Sequence, residues 1–236
     1  METKLVSYFR AEAELRLIVS IGDLAGWDRA TGKWDLATAG FQEALSLARK
    51  LAAMEPGNHI YARNLCVILS DYAFTLLQSG TRTHVPELLE ESIVMERSFL
   101  IQAPKDSTVT RGLAISLRNL GQAHMDAEAF DQARQPLEEA RDLMESLLED
   151  QGAQRDFVFI AATVLDPLGW LDWQMGLPVR AGARSSRTLD LLRSVEPDEH
   201  TARYLEVLAA AEAHAAIITR APGPGDDSGN ATEDRR

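Results

Sequence analysis

Residues 113–147 read LAISLRNLGQAHMDAEAFDQARQPLEEARDLMESL. The first part sets Leu113, Leu117, Leu120, Gly121 and His124 on one face of a helix. Ala127, Glu128 and Ala129 break that pattern, and a second stripe follows: Ala133, Leu137, Ala140, Met144 and Leu147, spaced 4, 3, 4, 3. That spacing is an apolar stripe on a helix of 3.6 residues per turn. The stretch therefore predicts two helices joined by a short turn.

Shifting the chain by 48 residues repeats the pattern. Ala37, Phe41, Ala44, Ala48 and Leu51 carry the same spacing, as do Val85, Leu89, Ser92, Glu96 and Phe99, and then Ala181, Ser185, Thr188, Leu192 and Val195. The second and fourth stripes are diluted by polar residues. In the first-helix positions Leu69-Ser70-Asp71-Tyr72-Ala73 registers with Leu117-Arg118-Asn119-Leu120-Gly121 and with Leu165-Asp166-Pro167-Leu168-Gly169. Ile21-Gly22 is the earlier counterpart after a three-residue insertion. Pro56, Pro104 and Pro197 close similar segments. Four units result, at about residues 11–58, 59–106, 107–156 and 157–199, with a capping helix at 200–219.

Punctuation supports the scheme. Gly32, Gly80 and Gly176 mark turns inside the units, and Thr83 is placed to cap the helix that carries Pro86 in its first turn. No segment alternates with β-branched residues, so no strand is expected. Residues 221–236 are rich in Gly, Pro and Asp and are expected to be disordered. The fold class that follows is all-α: an α-solenoid of four stacked helical hairpins, since one hairpin cannot bury both of its faces alone. An irregular helical bundle is the alternative.

The third unit resembles a tetratricopeptide repeat, through Leu120-Gly121, Ala133, Leu137 and Ala140. Gly22, Ala37, Phe41, Ala44 and Pro56 match in the first unit; Ala73, Leu89 and Pro104 match in the second. The fourth keeps Leu168-Gly169 and Ala181 but carries Ser185 where a large apolar residue is usual. Repeats of that family are usually about 34 residues long, so these resemble its extended form. The resemblance implies a scaffold that binds peptides or proteins, and not an enzyme.

Composition narrows the classes further. The chain has 236 residues, 45% hydrophobic, with a formal net charge of −12. Such an acidic chain is a poor match for nucleic acid or an anionic membrane surface. Four lysines against twenty arginines, with abundant Ala, suggest a GC-rich bacterial gene. The single cysteine, Cys66, excludes an internal disulfide and reads as a buried, inert thiol. The start lacks a signal-peptide plan and the longest largely apolar run, residues 157–165 with Thr163 inside it, is nine residues; a cytoplasmic location is the expectation. No phosphate loop, nucleophile elbow or metal-binding helix motif is present, and the five histidines are scattered. No cofactor, metal or catalytic residue is expected.

Helical phase selects candidate partner-binding residues on the first helices. They are Ser70, Asp71, Phe74 and Gln78 in the second unit, Arg118, Asn119, Gln122 and Asp126 in the third, and Trp170 and Trp173 in the fourth. Aromatic anchors beside amide and guanidinium donors suit a peptide groove, and packing between repeats is the competing reading for the two tryptophans. A carboxylate-gripping mode has only Arg118 and Asn119 to support it. Arg180, Arg184 and Arg187 form a basic stripe, read either as a solvated face paired with acids or as an anion patch. The leading expectation is a scaffold holding a protein or peptide partner in a concave groove. The second is a regulatory or sensor subunit whose repeats take a small ligand or signalling peptide and alter a partner.

Overall fold

Successive apolar registers become successive helix pairs. The structure of the protein, a computed structural model, describes residues 2–152, 154–196 and 201–220, with side chains from Phe9 onward. The expected disordered tail and Pro197 lie outside these residues. In chain order the helices are α1 (Glu2–Ala30), α2 (Trp34–Met54), α3 (His59–Gln78), α4 (Val85–Gln102), α5 (Ser107–Asp126), α6 (Phe130–Gln151), α7 (Arg155–Gln174), α8 (Pro178–Arg193) and α9 (Ala202–Arg220). Among the described residues there is no strand. The chain divides into two compact units, Met1–Ala123 and His124–Arg236.

All four second-helix stripes are buried, the polar positions included. Ser92 and Thr188 are as inaccessible as Leu137, and Glu96 and Ser185 are only 6% exposed. Position in the repeat therefore outweighs residue polarity, and each buried polar group must be satisfied or held neutral.

In the first unit α1 packs on α2 and α3, α2 on α3, and α3 on α4. Its core joins Ile18 of α1, Leu45 and Leu51 of α2, Leu65, Leu69 and Ala73 of α3, and Val85 and Leu89 of α4. Small residues set the approach distances. A Cβ on Gly22 would stand 2.9 Å from Ile68 Cδ1, and one on Gly40 would stand 2.9 Å from Ala25 Cβ. Helix starts recur with the repeat as well. Asn58 Oδ1 accepts from Ile60 N at 3.1 Å and Tyr61 N at 3.4 Å, and 48 residues on Asp106 Oδ1 accepts from Thr108 N and Val109 N, both at 3.1 Å. These are side-chain N-caps satisfying donors that the helix leaves free.

In the second unit α6 packs on α7, α7 on α8, and α9 on both α7 and α8. Ala133, Leu137, Leu168 and Leu171 form its central cluster. At Gly169 α7 lies against α8, where a Cβ would make ordinary van der Waals contact, 3.4 Å from Arg184 Cβ.

Two expectations need correction. The first unit begins earlier than residue 11, because α1 runs back to Glu2. Thr83 does not cap α4. The chain enters that helix through His84 in the left-handed region, φ 63°, with no side-chain cap; Pro86 does sit in the first turn.

Among the described residues α3 is the one helix long and apolar enough to cross a membrane by length and composition, and half of its apolar window is buried inside the protein. Its hydropathy is that of a core helix: Leu65, Leu69 and Ala73 all enter the first unit's core.

Candidate binding surfaces

The first unit brings several candidates together at Phe74. Its ring lies beneath two guanidinium groups from neighbouring first helices, Arg29 of α1 at 5.1 Å and Arg118 of α5 at 5.6 Å from the ring centroid. Cations over an aromatic face are drawn by its quadrupole. Arg29 is fixed further by Asp71. Its Nη1 donates to Asp71 Oδ1 at 3.2 Å, to the Asp71 carbonyl at 3.3 Å and to Thr75 Oγ1 at 3.2 Å. Ser70 joins α3 to α5 by accepting from Ser116 Oγ at 3.4 Å. Gln122 is half-buried on α5, and Gln78 is exposed at the end of α3.

Asn119 does not belong to this surface. It is only 2% exposed, and its Nδ2 has no hydrogen-bond partner. It lies between Ser116 and Ala123, both buried, so the phase of α5 turns it into the protein. The carboxylate-gripping pair of Arg118 and Asn119 is therefore not formed on one exposed face. Arg29 went unassigned at the level of sequence, because the alignment loses register at the insertion after Gly22.

Behind this face lies a buried polar cluster. Glu96 of α4 is 6% exposed and faces Gly112 of α5, where a Cβ would stand 2.5 Å from Oε1. Burial pushes its carboxyl up to about 7 although Ser116 and Ser92 hydrogen-bond to it. Burial, with the Glu96 charge adding to it, pushes the Cys66 thiol up to about 12. At that value the thiol is protonated and unreactive at neutral pH.

The second unit holds Asp126, Trp170 and Trp173. Asp126 is exposed at the end of α5. Trp170 is stacked between Trp173 (centroids 4.7 Å apart, planes at 28°) and His214 of α9 (4.8 Å, 26°). His214 Nδ1 lies 2.8 Å from Asp166 Oδ2. The Asp166 hydrogen bond raises the His214 pKa, with burial opposing it. Trp170 thus packs α7 against α9, which supports the packing reading for it, and Trp173 stacks on Trp170 within α7.

The arginine stripe is mostly neutralised. Asp172 of α7, fully buried, accepts a hydrogen bond from Arg134 Nη1 at Oδ1, 2.8 Å, while Arg184 Nε at 3.1 Å and Arg180 Nε at 3.5 Å stand in ion-pair range of Oδ2, which accepts no hydrogen bond. Glu138 meets the same three arginines at 2.9–3.4 Å. Burial works against its charge, yet hydrogen bonds from Arg184, Arg134 and Arg180 hold its carboxyl below the usual range. Arg187 lies elsewhere, in a cleft of 560 Å³ between α6 and α8 lined also by Glu145, Glu149 and Asp190.

The helix order and packing define an all-α helical-repeat fold. A solved structure shares it. BtubC (BKLC) from P. vanneervenii is similar with a TM-score of 0.61 and 19% identity, over 93% of this chain and 85% of that one. A de novo designed helical repeat protein, DHR64, aligns with a TM-score of 0.38 and 16% identity, over 89% of this chain and 96% of that one. No protein-family model matches the chain, and no curated protein does.

Proposed function

We propose that the protein is a non-enzymatic scaffold of the tetratricopeptide type, and that the first-helix face of its first unit grips an extended segment of a partner protein. The observation that carries this reading is Phe74 held between Arg29 and Arg118. A ring and two guanidinium groups from three successive first helices supply the anchors that dominate peptide interfaces, an aromatic face and charge-assisted donors. Asp71 orients Arg29 before any partner arrives, which lowers the ordering cost of binding. Gln78 and Gln122 add amide groups on the same helices. Arg29 is already paired with Asp71, so the surface offers an aromatic face and guanidinium donors rather than net positive charge, favouring segments with an apolar side chain beside hydrogen-bond acceptors.

The test is selection of peptides from a displayed library against the whole chain, followed by titration of the selected peptides. Phe74→Ala and Arg118→Ala should each weaken them roughly tenfold or more. Glu90→Lys, on the exposed side of α4, should leave affinity unchanged. Peptides that ignore Phe74→Ala and respond to Glu90→Lys would place binding on the second helices instead.

A further inference from the structure

α1 is apolar on two opposite sides. Ala11, Ile18 and Ala25, seven residues apart, are buried against α2 and α3. Half a turn away runs a second stripe, Phe9, Ala13, Leu17, Ser20, Leu24 and Trp27, and all six are exposed. Phe9 is 59% accessible, Leu17 50%, Leu24 62% and Trp27 64%. From Ala13 to Trp27 the spacing is 4, 3, 4, 3, the seam of a helix that packs along another helix. A contiguous apolar stripe of this size is an interaction surface and not the scattered exposure normal on a protein.

We propose that this stripe pairs with the same stripe of a second copy of the chain, the two α1 helices running antiparallel about a two-fold axis near residues 18–19. Such a pairing sets Leu17 opposite Ser20, and Leu24 opposite Ala13, of the other copy, so large side chains meet small ones. It also satisfies the flanking charges. Arg16 and Asp23 lie on the same edge of the stripe, and the antiparallel arrangement brings Arg16 of each copy beside Asp23 of the other, two ion pairs per dimer. A parallel pairing instead sets Arg16 near Ile21, and Asp23 near Asp28, of the other copy; Asp28 is buried and already held by Lys33, so neither Arg16 nor Asp23 gains a partner. Arg16 is already 2.6 Å from Glu12, but its side chain is 78% exposed and has donors for a second carboxylate. Phe9 and Trp27 leave on the order of 100–150 Å² of side chain each uncovered. Counted from both copies with the leucines and flanking stems, the seam approaches the roughly 1,200 Å² lower bound of a specific interface. The contact is isologous, so it closes at two copies.

Sedimentation equilibrium on the whole chain tests this. A monomer–dimer equilibrium is expected in the micromolar range. Leu24→Glu should weaken it roughly tenfold or more without altering helicity or the monomer's melting, because Leu24 touches no core. Asp23→Arg should weaken it too, and Arg16→Asp combined with Asp23→Arg should restore it. A chain that stays monomeric at high micromolar concentration overturns the proposal. So does a dimer indifferent to Leu24→Glu. Failure of the charge exchange to restore association rejects the antiparallel pairing.

Discussion

Asp166 and His214 are 48 residues apart in the chain and 2.8 Å apart in space. The repeat interval alone carries Ser70 onto Arg118, onto Asp166 and onto His214. α9 therefore stands to α7 as one first helix stands to the next, and the ion pair is the tie between them. Its pH dependence has a definite sign. The folded-state pKa of His214 is raised, so the pair stabilises fully below the ordinary histidine value and fades as pH rises through the raised one. Wild type should lose on the order of 1 kcal/mol from this pair across that window, since His214 is half-buried. His214→Phe keeps a ring on Trp170 but removes the charge. Its urea midpoint should be lower below pH 6.5, and this part of the pH dependence should vanish. Equal pH slopes in wild type and His214→Phe would show that the contact is stacking alone.

Glu96 titrates in the other unit and pulls in the same direction. Its carboxyl is raised from the model-compound value of 4.5 to about 7. Between those values the folded state holds a proton that the unfolded state has lost, so stability falls as pH rises through the window. Above it the deficit is on the order of 3 kcal/mol. Glu96→Gln keeps the shape beside Gly112 and removes the ionisation. The variant should resemble wild type at pH 4 and melt higher at pH 8. A wild type whose advantage over the variant grows with pH would mean that the ionised carboxylate has found a partner at Oε2.

The stripes at Ala37, Val85, Ala133 and Ala181 were legible because burial along a helix follows period, and 48-residue spacing preserves that period. Even Glu96 could be placed, though its polarity argued against it. Local chemistry was less legible. Thr83 has the right side chain for a cap, but the left-handed turn at His84 starts the helix later. Pro136 and Pro167 lie inside helices because neighbouring contacts outweigh one lost backbone hydrogen bond. Of the candidate surface, phase put Phe74, Asp71 and Arg118 near one another, and it misplaced Asn119, which is buried, because adjacent positions differ by about 100° and the face is narrow. Arg29 was missed because the alignment loses register at the insertion after Gly22, and His214 because residues 200–219 were read as a capping helix outside the aligned first helices.

Ala133 is fully buried in the cluster of Leu137, Leu168 and Leu171. Enlarging it has no free volume to use. Ala133→Leu should cost about 1–3 kcal/mol through displaced neighbours, while Gln135→Leu on the exposed side of α6 should change stability by less than about 0.5 kcal/mol. Thermal melts of the two variants decide the matter. Equal melting temperatures would mean that α6 does not meet α7 through this stripe.

Asp172 is the centre of the second unit's charge network. It is fully buried, and three arginines, Arg134, Arg180 and Arg184, converge on it while sharing Glu138. Three cations against two carboxylates leave the cluster one positive charge in excess. Asp172→Ala would leave three cations against one carboxylate, two of them with little solvent to turn to. Breaking one side of such a buried pair costs about 3–5 kcal/mol, most of it from the charges left behind. Arg180→Ala should cost far less, because Arg180 is half exposed and its loss brings the cluster to neutrality. Urea unfolding followed by circular dichroism should therefore rank Asp172→Ala well below Arg180→Ala. The double variant should recover part of the loss, since removing a cation relieves the uncompensated charge. If Asp172→Ala and Arg180→Ala are equally mild, water reaches the arginines and the network contributes little to holding α6, α7 and α8 together.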